Sequence, residues 1–149
     1  MRLFLFITAF MAALITPHLM SNDWNAARAQ VMEVEEKPRL IAARFTADWC
    51  GQCAILQPRL DDVWPAYEDA EIERVVFDFT SDERDTPRAR AAAAGIEHIY
   101  EPLEGRTGFL LLIDRESGEV LEMVNTSYDR AAIADALDRS LMMTQETQS

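Results

Sequence analysis

From Arg39 to Ala47 the chain reads Arg-Leu-Ile-Ala-Ala-Arg-Phe-Thr-Ala, apolar but for its first residue, Arg44 and Thr46. A run with so little polar alternation predicts a strand buried on both faces. Helical spacing follows over Gln52 to Tyr67, with Pro58 inside it, where the missing N–H is expected to kink the helix. Glu73 to Thr80, with Val75, Val76, Phe77 and Phe79, reads as a second strand. Thr86-Pro87 has the form of an N-cap with proline at the first helical position, and Gly95 is placed to close the alanine-rich helix. Phe109 to Ile113 is a continuous apolar run, Asp114 to Gly118 a hairpin turn, and Glu119 to Val124 the returning strand. Asp129 to Met142 puts Ile133, Leu137 and Leu141 on one helical stripe. A short alternation at Val31 to Glu35 suggests an edge strand, and residues 143–149 read as a flexible tail. Met123 and Met142 are expected to pack in the core.

The element order is β-α-β-α-β-β-α. Strands joined by helices are expected to run parallel and the final pair antiparallel. This predicts an α/β domain over residues 30–142, a mixed sheet with helices on both faces. Its reactive end should lie where strand 39–47 hands over to the first helix.

The N-terminus changes the setting. Met1-Arg2, the apolar run Leu3 to Ile15 and Ala27-Arg28-Ala29 have the layout of a cleaved signal peptide over residues 1–29. A retained membrane anchor is the runner-up, although Leu3 to Met20 reaches spanning length only by including Pro17 and His18. The expected location is therefore periplasmic or otherwise exported. Net charge is −12 for the 149 residues. It is −13 without residues 1–29, which hold two arginines and one aspartate. Such a surface argues against nucleic acid and anionic lipid as partners.

The chain has two cysteines, both in Trp49-Cys50-Gly51-Gln52-Cys53. A lone C-x-x-C pair supplies neither a multi-bridge framework nor a four-thiolate zinc site. It suits a disulfide that closes and reopens. At a strand-to-helix junction, the unpaired N–H groups and positive dipole end of the helix favour thiolate over thiol. As a purely structural staple, a loop this short would stabilise by only about 2 kcal/mol. No glycine-rich cofactor loop is present, so the redox-active Cys50–Cys53 disulfide is itself the expected working group, with no bound cofactor.

The element order and the stretch Phe45-Thr-Ala-Asp-Trp-Cys-Gly-Gln-Cys53, followed by Pro58, resemble thioredoxin over most of residues 37–142. The Ala-Asp-Trp-Cys wording and Phe79-Thr-Ser-Asp82 are similar to the C-terminal thioredoxin-like domain of bacterial membrane reductant transporters. The resemblance implies a thioredoxin-like fold, with Cys50 the exposed attacking thiol and Cys53 the buried resolving one.

The chain departs from that family at three places. Gly51-Gln52 stands between the cysteines where Gly-Pro is common, so the potential is not inherited. Arg44 occupies the position of a buried aspartate, with Val76 expected beside it in place of a lysine and Asp78 as its candidate ionic partner. Arg44 near the thiols would lower a thiolate pKa and favour the reduced form; snorkelling to the rim would give it no chemistry. Gly108, preceded by Thr107, falls where the family has a substrate-facing cis-proline, and a glycine there would supply an N–H and leave space. An added stretch, Glu97 to Arg106, carries His98, Tyr100 and Pro102, the last an alternative cis-proline.

The leading expectation is a thiol–disulfide oxidoreductase acting on protein thiol or disulfide substrates, recharged by a membrane electron donor or acceptor and working as a monomer. Trp49 would limit water access to the pair, and Asp48 is a candidate general base. The alternative is a metal-handling module in which Cys50 and Cys53 hold Cu(I), with His98 as a third ligand. An interaction domain with a structural disulfide is the remaining reading.

Overall fold

A computed structural model of the chain describes residues 37–146. The signal peptide or anchor expected over 1–29 and the edge strand expected at 31–35 lie outside the described residues. Strand β1 (Leu40–Thr46) leads into helix α1 (Gly51–Val63), which a 3-10 turn (Trp64–Tyr67) extends. Strand β2 (Ile72–Asp78) precedes α2 (Asp85–Ala94), a one-turn helix α3 (Glu97–Tyr100) and a 3-10 turn (Glu101–Leu103). The hairpin of β3 (Phe109–Asp114) and β4 (Val120–Val124) then leads to α4 (Arg130–Glu146). Among the described residues the sheet has four strands in the order β2-β1-β3-β4. The α/β class and the mixed sheet expected from the sequence are those observed.

Side chains alternate across the central strand, so β1 serves two cores. Ile41, Ala43 and Phe45 join Phe77, Phe79, Leu111 and the α2–α3 residues Ala91, Ile99 and Tyr100 on one face. Leu40 and Ala42 join Leu56, Leu60, Leu110, Leu112, Ile133 and Leu137 under α1 and α4 on the other. Helices therefore cover both faces, and Arg44 belongs to the α1–α4 side.

Strand direction departs from expectation at one connection. β1 and β2 are parallel, but β3 is antiparallel to β1. The path explains this. Lys37 Nζ donates to the Ala93 carbonyl and Arg115 to the Ala94 carbonyl, so α2 ends at the sheet end where β1 starts. Gly108 donates to the Phe45 carbonyl, so β3 starts at the opposite, cysteine-bearing end. Residues 97–107 carry the chain back along the sheet. A connection that crosses the sheet twice returns an antiparallel strand.

Smaller differences are local. Helix α2 begins at Asp85 with Arg84 as N-cap, so Thr86 lies inside it; the Glu83 carboxylate accepts from the Thr86 N–H (2.7 Å) and hydroxyl. An exposed acidic side chain thus does the capping expected of threonine. Gly95 closes the helix at φ 73° as anticipated. Pro58 sits inside an unbroken α1. Helix α4 runs to Glu146, where a tail was expected from 143, because Thr144 is still buried against the core side. Met123 and Met142 are 46% and 56% exposed, not core residues. β4 is an edge strand, and the helices on the face where Met123 stands pack over β2 instead.

The hairpin turn is held by Asp114, only 4% exposed. Its carboxylate accepts from the Ser117 hydroxyl (2.7 Å) and N–H (3.2 Å) and from the Glu116 N–H (3.4 Å), and it faces Arg39. Burial pulls its pKa upward, but the Ser117 and Glu116 hydrogen bonds and Arg39 outweigh it and leave the group below its ordinary value. A depressed folded pKa stabilises above the unfolded value and loses that contribution as pH falls through the folded one. Unfolding midpoints should therefore drop as pH falls below about 4, and Asp114→Asn should flatten that acid limb in a urea titration at several pH values.

Candidate redox site

Strand β1 delivers Phe45 and Thr46 to one end of the sheet, and a tight turn closed by Cys50 N–H on the Ala47 carbonyl (3.1 Å) starts α1. Cys50 is the N-cap of α1, and its Sγ accepts from the Cys53 N–H at 3.1 Å. Sulfur thus takes the place of a capping oxygen on one of the helix's orphan donors, a position that favours negative charge on Cys50 when reduced. Cys50 and Cys53 form a disulfide, with Cα atoms 5.2 Å apart.

Each cysteine is 8% exposed, so accessibility does not tell them apart. Their surroundings do. Both line an open cavity of about 300 Å³ together with Arg44, Thr46, Asp48, Gln57 and Asp78. Of the two cysteines, Cys53 also lines a second, smaller pocket of about 10 Å³, walled by Arg44, Gln57, Leu60 and Gly108. That is room for about one water. Cys53 Sγ lies 4.0 Å from the Phe45 carbonyl, the oxygen that also accepts the Gly108 N–H at 2.9 Å.

The turn is braced from β2. Phe79 N–H donates to the Thr46 carbonyl (2.9 Å), the Trp49 indole N–H to the Phe79 carbonyl (3.3 Å) and the Asp48 N–H to Thr80 Oγ1 (3.0 Å). Trp49 is 63% exposed: an accessible apolar face beside the pair, not the packed shield expected of it. Asp48 is exposed on the rim.

The register at Arg44 is the anticipated one, with Val76 opposite it. Its expected partner is not. Asp78 accepts from the Thr80 N–H at 2.8 Å and from the Thr80 hydroxyl, which hold its pKa down, with Arg44 a lesser influence. Arg44 Nη1 instead donates to Gln57 Oε1, and Gln57 Nε2 donates to Asp61 at 2.6 Å. Asp78 goes to Thr80 because that hydroxyl and N–H are two residues away and already fixed by the turn. Gln57 escaped the sequence reading, although it follows Cys53 by one helical turn and so shares its face.

Gly108 corrects a second expectation. Its φ is +98°, and a Cβ there would sit 2.5 Å from Gln52 Oε1 and 2.9 Å from Gln52 Cβ. The space that glycine was expected to leave open is filled by Gln52, and its N–H is spent on Phe45. Thr107 is half-buried beside it, and Gly51 opens α1 with nothing near its absent Cβ. No peptide bond among the described residues is cis, so Pro102 is not the alternative cis-proline.

His98 stands apart from all of this. Its Nε2 lies 3.2 Å from the Gly118 carbonyl, in the turn after β3. Asp114, which opens that turn, pairs with Leu40 at the start of β1, whereas the cysteines follow its end. A strand's length, roughly 20 Å, separates them. His98 therefore cannot complete a metal site with Cys50 and Cys53, because the connection that carries it begins at the far end of the sheet.

A family model described as thioredoxin matches residues 19–98, more than half of the sequence. The chain belongs to the thioredoxin family. Among curated relatives, thioredoxin H8 of Arabidopsis thaliana is 30% identical over 57 residues, 38% of this chain and 36% of that protein. The chain thus spans about a third of that relative's length. The solution structure of a proposed protein disulfide isomerase from Bacteroides thetaiotaomicron superposes with a TM-score of 0.50 at 20% identity, covering 75% of this chain and 79% of that one. StoA from Bacillus subtilis gives 0.47 at 11% identity, covering 70% and 86%. The first superposition is a likeness of fold. This thioredoxin-family chain keeps the cysteine pair at the start of α1 and surrounds it with Arg44, Gln57, Gln52 and Gly108.

Proposed function

We propose that this thioredoxin-family protein is an exported thiol–disulfide oxidoreductase acting on protein substrates. The observation that carries the reading is the Cys50–Cys53 disulfide at the N-cap of α1, beside an open cavity and an exposed tryptophan. In the oxidising direction a substrate thiolate attacks Cys50 Sγ, the intramolecular S–S bond breaks and Cys53 leaves with the electron pair as thiolate. A second substrate thiolate then attacks the substrate sulfur of the mixed disulfide and releases Cys50. The substrate loses two electrons and the pair gains them; reduction of a substrate disulfide is the same sequence reversed. Trp49 supplies an apolar contact for the incoming polypeptide. Export rests on the leader, with Arg2 ahead of the apolar run Leu3 to Ile15.

The deciding experiment is equilibration of the full chain with glutathione buffers, followed by thiol counting. Exchange with a potential near about −120 to −180 mV identifies an oxidant or isomerase, and one near about −270 mV a reductant that a membrane donor must recharge. A pair inert to glutathione and to model protein disulfides would reduce it to a structural staple.

A further inference from the structure

Arg44 is a cation with no direct ion pair. Among the described residues no carboxylate lies within ion-pair distance of it. Its hydrogen-bond acceptor is a neutral amide, and its Nε is buried without a partner. Burial lowers its pKa, with Asp61 and Asp78 acting against that from a distance. A half-buried guanidinium held by an amide is unusual, because removing charge from water is ordinarily offset by an opposite charge. Both cavities that Cys53 lines are also lined by Arg44 and Gln57. In the smaller pocket the lining group able to become an anion is Cys53, whereas the larger one also holds Cys50 and, on its rim, Asp48 and Asp78.

We propose that Gln57 is a positioning residue that holds the Arg44 charge uncompensated beside Cys53, so that the counter-ion of Arg44 is the Cys53 thiolate formed when the disulfide opens. The inference deepens the exchange reading above and assigns the tuning of that site to a residue outside the C-x-x-C motif. In the disulfide the sulfur is neutral and Arg44 rests on Gln57 Oε1. When a thiolate attacks Cys50 and Cys53 departs with the bonding pair, Arg44 meets the new negative charge and no proton is needed to stabilise the leaving group. An opposite charge in a poorly solvated space favours the ionised thiol. The reduced form gains, and the couple becomes more oxidising. Neutrality at position 57 is the device: a carboxylate there would satisfy Arg44 before the reaction began. Asp48 and Asp78 on the rim, Asp61 beyond Gln57, and Arg74, which shares a neighbouring cavity with Arg44, also face this region. They are unchanged in every variant below, so the difference between Arg44→Met and Arg44→Lys isolates the Arg44 charge.

The test compares Gln57→Glu, Gln57→Met, Arg44→Met and Arg44→Lys in the full chain. Thiolate ultraviolet absorbance is titrated with each substitution placed in a Cys50→Ser background, where Cys53 is the one thiol, and the equilibrium with glutathione is measured separately on the intact pair. Gln57→Glu and Arg44→Met should each raise the Cys53 titration midpoint by about one unit and shift the glutathione equilibrium about tenfold toward disulfide, equivalent to about 30 mV. Arg44→Lys should restore most of the parent's midpoint, and Gln57→Met should move it less than Gln57→Glu. Equal effects of Glu and Met at position 57, or a midpoint indifferent to Arg44→Met and Gln57→Glu, would overturn the inference. If Arg44→Met fails to fold, Arg44→Gln, which keeps a polar end for Gln57 but no charge, takes its place. A parent that titrates as expected but does not exchange with glutathione would instead sink the oxidoreductase reading alone.

Discussion

Cys50→Ser is expected to abolish exchange with protein thiols, on the order of a thousandfold or more below the parent, as when other covalent nucleophiles are removed. Cys53→Ser should instead accumulate a mixed disulfide between Cys50 and the substrate. The asymmetry follows from position, since both cysteines are equally exposed. Cys50 caps α1, receives the Cys53 N–H and opens onto the outer cavity. Cys53 sits one helical turn further along α1, near the Phe45 carbonyl, and shares the outer cavity while also lining the smaller pocket beside Arg44 and Gly108. Intact mass measured after reaction of the reduced variants with a disulfide-bearing model protein, whose released thiolate balances the exchange, separates the outcomes. Trapping in Cys50→Ser rather than Cys53→Ser would reverse the assigned roles, and trapping in neither would show that the pair does not turn over.

Gly108→Ala is expected to be among the most damaging single substitutions outside the cysteines. Two penalties combine at this position. A φ of +98° is strained for any residue with a Cβ, by about 1–2 kcal/mol. The new methyl also meets Gln52 Oε1 at 2.5 Å and Gln52 Cβ at 2.9 Å. Overpacking of that kind costs typically about 1–3 kcal/mol. Urea unfolding of the oxidised protein should therefore show a loss of roughly 2–5 kcal/mol. Adding Gln52→Ala should return the steric part and leave the backbone part, so the double variant should recover about 1–3 kcal/mol relative to Gly108→Ala with Gln52→Ala as reference. Full additivity of the two substitutions would show that Gln52 and Gly108 do not interlock. Gly108→Pro should be worse than alanine, because it also removes the N–H that donates to Phe45.

The elements were legible because the signals behind them are local. The mostly apolar run of β1, the turn chemistry at Asp114 to Gly118, the C-cap at Gly95 and the stripe of Ile133 and Leu137 each follow from a few consecutive residues. The cysteine pair was legible for the same reason, since two thiols three positions apart at a strand-to-helix junction meet whatever the rest of the chain does. Even the register of Arg44 beside Val76 followed from strand periodicity.

What failed depended on which distant segments meet. The direction of β3 was set by a connection that crosses the sheet twice, and the same detour carried His98 away from the cysteines. Exposure of Met123 followed from the strand order, because only a finished sheet has an edge. The partner of Arg44 was decided by competition: Thr80 took Asp78, and the helix one turn after Cys53 offered Gln57. Gly108 and Gln52 lie 56 positions apart and come together only when β3 docks beside β1. The thiol chemistry and the secondary structure of this thioredoxin-family chain were thus written in short runs of sequence, where neighbours along the chain are neighbours in space. The charge facing the buried sulfur and the wall beside it were decided by the tertiary fold, because each requires two elements to arrive at one place and one partner to exclude another.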